Sequence, residues 1–384
     1  WYEMQAKDYT SFSQAPTSIT DSSDVWCRPR MAAYMNNAPV TDACYMSFHS
    51  NGATGSARGP MVLKNSDSWE GGAAPYADQF NSAIIHQVDD DLNNLWGLPS
   101  RNYQVYQSSY GELTYNNLNG EMTGTIVETA FHDNVDDANL LKTPGFRQDS
   151  ARAVLQGIVD YFANTHSNSN GVYLPDAPGN ASALITGSGQ ATISWSAPPY
   201  GGYGADAATG YIVYKSEDGR AWDNGVDVGN VISYNYTGLT AGEDYYFRVA
   251  AYNNGGESFP TETLAVRYDS DSTNRVLFVN AYDRLDAGIT VDEGGAKRHY
   301  LQEMNSSDYV IEHGESIVAA GEYFDSASDE AVADGDITLS NYDAVIWGAG
   351  QQGAVSGTNQ PASHEAYVSG ARTAIQNYLD GGGA

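Results

Sequence analysis

Two residues occupy positions where reactive side chains are useful. His49 ends the apolar run Ala43-Cys44-Tyr45-Met46-Ser47-Phe48, and Ser50, Asn51 and Gly52 follow at once. A histidine at the last position of a strand points into the cleft at a sheet edge, where a glycine-bearing loop lets backbone approach a ligand. Glu128 interrupts a second apolar run, Thr125-Ile126-Val127 before it and Thr129-Ala130-Phe131 after it. A carboxylate inside a strand buried on both faces is costly unless it is paired, hydrogen-bonded or directed at a metal.

The elements that must carry these two residues are those of an α/β domain. A helix running to Asn37 leads into the strand 43–49, and a glycine-rich loop spans Ser50 to Pro75. Apolar residues at Tyr76, Phe80, Ala83, Ile84, Leu92 and Leu95 follow a 3.6-residue period and predict a helix that stops before Pro99. A Tyr- and Asn-rich stretch precedes the strand 125–131. A closing helix carries the stripe Ala151, Val154, Leu155, Ile158 and Phe162, with Pro144 and Asp149 as start signals. Strands alternating with helices predict a largely parallel sheet.

The run Ser47-Phe48-His49-Ser50-Asn51-Gly52 resembles the zinc-histidine motif of bacterial zinc-dependent N-acetylmuramoyl-L-alanine amidases. Val127-Glu128-Thr129-Ala130-Phe131-His132-Asp133-Asn134, with Leu140-Leu141, Pro144-Gly145-Phe146-Arg147 and the helix from Ala151 to Phe162, is similar to that family's glutamate strand and closing helix. Asp24 to Arg30 fits the segment ahead of the histidine strand. The resemblance covers most of residues 20–163 and implies an amidase-like, zinc-exopeptidase-like sheet with helices. It also implies that His49 is a Zn2+ ligand and that Glu128 is the general base and acid. The bond cut would join N-acetylmuramic acid to L-alanine in peptidoglycan. Such a zinc keeps an open position for water. The family's Gly-His-Gly-Gly loop and its glutamate ligand should precede His49, and neither is present. The remaining ligands are therefore expected upstream of Trp1, and the chain reads as a fragment truncated at both ends that binds zinc poorly as it stands.

Other candidates carry less chemistry. His132 reads as a supporting residue rather than a ligand, and His86 as solvent-facing. Asp89-Asp90-Asp91 lacks calcium-loop spacing and reads as a solvated helix face. Cys27 and Cys44 read as buried free thiols, because a helix of about 15 Å separates them while bridged Cα atoms lie within about 7 Å. The insertions Gly52–Pro75 and Arg101–Gly120 are expected to shape a substrate groove. The tyrosines of 103–115 and 198–203 read as exposed loop residues rather than sugar platforms.

Residues 1–166 thus form the first domain, and 167–179 are a polar linker bearing Pro and Gly. From 180 to 268, short strand runs alternate with turn signals: Ala191–Trp195, Tyr211–Tyr214 and Tyr245–Tyr252. Trp195, the segment Leu239–Tyr245 and the pattern Val249-x-Ala251-x-Asn253-x-x-Gly256-x-Ser258 resemble a fibronectin type III module, an all-β sandwich. In that resemblance Tyr245 is the corner tyrosine whose hydroxyl bonds back to backbone. From 274 to 384 the pattern returns to α/β with the strands Arg275–Asn280 and Tyr342–Trp347, the second ending in Gly348-Ala349-Gly350. This segment resembles part of a flavodoxin-like or glutamine-amidotransferase-like three-layer domain. It has no cysteine to act as a nucleophile, which favours an accessory role.

Composition sets the outer limits. The chain of 384 residues has 48 acidic against 18 basic residues and a net charge of −30, which argues against nucleic-acid binding. Hydrophobic residues at 41% exclude disorder, and no stretch approaches the roughly 18–20 apolar residues of a membrane span. Low charge density with 40 Gly and 28 Tyr fits a secreted or cell-envelope bacterial protein. The reading is a multidomain peptidoglycan hydrolase of undetermined oligomeric state. Its rivals are a zinc carboxypeptidase-like peptidase and a non-enzymatic wall-binding or adhesive protein.

Overall fold

The computed structural model describes residues 21–36, 42–66, 76–166, 169–269, 274–282, 291–293, 296–298, 307–349 and 367–383. They belong to two units, Trp1–Gly171 and Val172–Ala384. In the first, α1 (Asp21–Met35) precedes β1 (Cys44–Asn51), β2 (Met61–Asn65), α2 (Ala77–Trp96), β3 (Val105–Ser108), β4 (Thr123–Phe131), α3 (Val135–Lys142) and α4 (Pro144–Thr165). The strands lie in the order β1-β4-β2-β3. β1 runs parallel to β4, β2 antiparallel to β4, and β3 parallel to β2.

The sheet is therefore mixed, where helix–strand alternation predicts a largely parallel one. The difference comes from β2 and β3, which fall inside the segments expected to be insertions. β2 returns directly from the loop after β1 with no crossover helix, and a direct return of this kind is antiparallel.

Local sequence explains the helices. Gly97 takes a left-handed φ of 65° and its N–H donates to the Asn93 carbonyl, while Leu98 N–H reaches Leu92 O, which closes α2. The Asn134 side chain accepts from Asp136 and Asp137 N–H to start α3, and Pro144 occupies the first turn of α4. Phe80, Ile84, Val88 and Leu92 of α2 pack with Phe146, Val154 and Tyr161 of α4 against Val62 and Val127 of the sheet. Each such buried side chain contributes roughly 1.5–3 kcal/mol. Ala151 and Leu155, part of the expected stripe on α4, are exposed instead. Neither cysteine forms a disulfide, as expected, and burial pushes the Cys44 thiol up to about 11.

In the second unit, residues 179–267 supply eight strands. These are β5 (Gly179–Gly187), β6 (Gln190–Ser196), β7 (Gly210–Ser216), β8 (Val226–Gly229), β9 (Ser233–Thr237), β10 (Asp244–Asn253), β11 (Gly256–Pro260) and β12 (Leu264–Arg267). β8-β7-β10-β12 and β5-β6-β9 form the two layers of a sandwich around Ile193, Trp195, Tyr211, Phe247, Val249 and Leu264. The Tyr245 hydroxyl accepts from Thr240 N–H at 3.0 Å, the expected corner. Part of the polar linker belongs here as well: Tyr173 N–H donates to Asp206 and Tyr173 O accepts from Asn253.

The remaining elements are β13 (Arg275–Asn280), the pair β14 (Val291–Glu293) and β15 (Ala296–Arg298), α5 (Val310–Ala319), β16 (Tyr323–Ser328), α6 (Asp329–Ala333), β17 (Ala344–Gly348) and α7 (Ser369–Asp380). β13 lies between β16 and β17, parallel to both. The other edge of β16 pairs with the sandwich itself, with β12 at Arg267↔Phe324 and with β5 at Ser326↔Ala183. Tyr246 and Ala265 of the sandwich share an apolar cluster with Phe278, Ile311 and Phe324.

Candidate active site

His49 on β1 and Glu128 on β4 are direct partners in the parallel register. Residues in register project to the same face of a sheet. That face is opposite the one holding α2 and α4, because Val127, the neighbour of Glu128, packs into the helix-side core. On the site face, Leu63, Leu113 and Ile126 form a small apolar cluster. Glu128 comes next after Ile126 on this face, where apolar cover gives way to polar groups, and this accounts for the break in the run.

The two loops that leave the paired strands are laced together. Ala53 and Gly55 N–H donate to Asp133 at 2.8 and 3.1 Å, and the Asn134 amide donates to Gly55 O. Buried Asp137 accepts from Arg58 Nε, Gly59 N and Phe131 N. Gly52 lies close under the His132 ring, where a Cβ would sit 2.8 Å from Nε2 and the exposed ring would have to move aside. His132 is exposed, with Nδ1 3.1 Å from Ser50 Oγ.

Partial burial raises the Glu128 carboxyl above its ordinary value, against the opposing pull of His49, an Asn51 hydrogen bond and His132. The Asn51 amide donates to Glu128 Oε2 and leaves Oε1 to face other partners. Burial, with the Glu128 charge adding to it, also raises Tyr110. A carboxylate with an increased hold on a proton, beside an imidazole at a sheet edge, is suited to take a proton and return it.

Sequence reasoning missed Glu112. It sits in a 3-10 turn, Gly111–Leu113, inside the expected insertion Arg101–Gly120. Its side chain is 4% exposed, with Oε1 3.0 Å from Arg28 Nη2 and Oε2 3.2 Å from His49 Nε2. The one available signal was an acid set between Tyr110-Gly111 and Leu113. His49 Nε2 is also 3.0 Å from Ser47 Oγ, so among the described residues only Nδ1 of the ring lacks a hydrogen-bond partner. The ring thus fits a metal as a single donor. Among the described residues, no three His, Cys, Asp or Glu side chains converge on one ion position.

The other candidates resolve differently. His86 is exposed and stacks on Tyr103 at 4.0 Å between ring centroids. The aspartate triplet is not a solvated face: Asp89 and Asp91 are each 1% exposed. Asp89 accepts from Ser100 Oγ, Arg101 N and Tyr103 N, which ties down the turn after α2. The expected glycine-rich edge beyond β17 reaches Gly348 and Ala349; residues 350–366 lie outside the described residues.

Comparison with known proteins bears on the middle of the chain. Residues 176–267 match the fibronectin type III domain family. A Kelch domain-containing protein of Saccharolobus solfataricus is 33% identical over 93 residues, 24% of this chain and 12% of that protein. Neogenin of Rattus norvegicus is 35% identical over 100 residues, 26% of this chain and 7% of that protein. The chain therefore spans only a small part of these relatives' length. Similar solved structures include the FN5 domain of Drosophila Lar, with 24% identity, 25% of this chain, 98% of that chain and a TM-score of 0.21. Another is the sixth fibronectin type III domain of human fibronectin type III domain containing protein 3, with 22% identity, 26% and 90% coverage and a TM-score of 0.23. The chain is multidomain, and residues 176–267 are a fibronectin type III sandwich. No helix among the described residues is long and apolar enough to cross a membrane.

Proposed function

We propose that the first unit is the catalytic domain of a zinc-dependent N-acetylmuramoyl-L-alanine amidase, acting on peptidoglycan outside the cytoplasm. The supporting observation is the registered pair His49–Glu128 on one sheet face, with the glutamate carboxyl raised by burial. In this reading His49 is one zinc ligand and the others lie outside the described residues. Zinc, when bound, supplies a Lewis acid and a water of lowered pKa. Glu128 takes the proton of the attacking water and returns it to the leaving amide nitrogen. Asn51 holds one carboxylate oxygen so that the other meets the water.

The fibronectin type III sandwich and the β13–β17 lobe serve as one accessory body that carries no part of the reaction. The lobe keeps the flavodoxin-like or glutamine-amidotransferase-like reading of its sequence. The test is stem-peptide release from purified peptidoglycan by the full-length, zinc-supplied protein. Glu128→Gln is expected to lower the rate about 10²- to 10⁴-fold with unchanged circular dichroism. Equal release by variant and wild type overturns the role of Glu128, and no release by either favours a binding or adhesive protein.

A further inference from the structure

The geometry assigns Glu112 as the positioning residue of His49, fixing its neutral ring as the Nε2–H tautomer so that Nδ1 is the nitrogen left with a lone pair. An ionised carboxylate can only accept hydrogen bonds. Glu112 Oε2 lies 3.2 Å from His49 Nε2, so that nitrogen must carry the hydrogen, and Ser47 Oγ, 3.0 Å away, becomes a second acceptor for it. The other oxygen, Oε1, is taken by the Arg28 guanidinium, which leaves Oε2 for the imidazole.

The support for Glu112 is itself built. Arg30 of α1 holds Asn117 Oδ1 at 2.7 Å, and the Asn117 amide donates to Gly111 O at 2.6 Å. Gly111 seats the turn on α1, since a Cβ there would lie 3.1 Å from Trp26 Nε1 and 3.2 Å from Val25 Cγ1. A chain of contacts therefore runs from α1 through Glu112 to the ring. An arrangement in which a carboxylate holds one ring nitrogen and a metal takes the other orients the ring and strengthens it as a donor. The metal part of this assignment rests on the hydrolase reading; the tautomer does not.

The test is nitrogen-15 NMR of the histidine rings in the metal-free full chain at pH 8. Wild-type His49 is expected as the Nε2–H tautomer, as is Ser47→Ala. In Glu112→Gln the amide can either donate or accept, and the Nδ1–H population is expected to rise several-fold. In the full-length protein, zinc is expected to shift Nδ1 of His49 rather than Nε2, and Glu112→Gln to weaken zinc binding about 10- to 100-fold. A wild-type Nδ1–H ring, a tautomer unmoved by Glu112→Gln, or zinc on Nε2 overturns the assignment. An Nε2–H ring in a protein that releases no stem peptide refutes the hydrolase reading and leaves this assignment standing.

Discussion

At the scale of single residues, a few acids, among them Asp89, Asp91, Glu112, Asp137 and Asp325, are held in the interior by their contacts. Asp91 shows the cost. Burial raises its carboxyl to about 6, with Gln87 pulling the other way through contacts at 3.2 Å to both oxygens. A folded-state pKa above the unfolded one gives stability that is complete below about pH 4 and lost as pH rises through about 6. Asp91→Asn has no such loss. It is expected to match wild type near pH 4 and to exceed it at pH 8 by on the order of 2–3 kcal/mol. Urea unfolding of the full chain at both pH values checks this, and an equal difference at both contradicts it. His49 and Glu128 were legible because each sits in its own strand with a recognisable flank. Glu112 was not, because its partners Arg28 and His49 are 84 and 63 positions away and neither spacing leaves a local pattern.

At the scale of elements, α1, α2 and α4 were legible, while α3 and half of the first sheet were not. α2 and α4 announce themselves by period, by Pro144 and by Gly97. β2 and β3, five and four residues long, lie among the glycine, proline and serine residues that signal loops. Their strand character comes from pairing with β4 and with each other. The packing of α2 on α4 turns on Gly157, where a Cβ would fall 2.9 Å from Ile84 Cα and 3.2 Å from Ala83 O. Backbone cannot yield as a flexible side chain does, so Gly157→Ala is expected to part the helices and cost about 1–3 kcal/mol despite alanine's better helix propensity. A thermal melt at or above the wild-type midpoint would contradict this.

At the scale of the whole molecule, the sandwich and the following lobe share hydrogen bonds rather than a linker. Tyr245–Tyr252 carries Tyr246 and Ala250 beside Arg248 on its outward face. On that face Tyr246 packs into the cluster shared with the lobe, while Arg248 lies over Trp222 and Tyr252 bonds Asp227. Asp325, fully buried on β16, pins the joint by accepting from Ile185 N of the sandwich, Arg275 and Tyr342 Oη. Burial raises its carboxyl in spite of Arg275. Arg275→Met strands that acid and is expected to cost about 3–5 kcal/mol, much of it recovered by adding Asp325→Asn. Urea unfolding of the single and double variants measures the coupling, and additive losses would refute it.

Since one edge of β16 is shared by β5 and β12 while its other edge carries β13, the described residues of sandwich and lobe are joined through strand pairing. Tension applied across them must shear a ladder before either part can swivel. The two therefore behave as a single stiff strut that delivers force and orientation without slack, a different mechanical object from beads on a string.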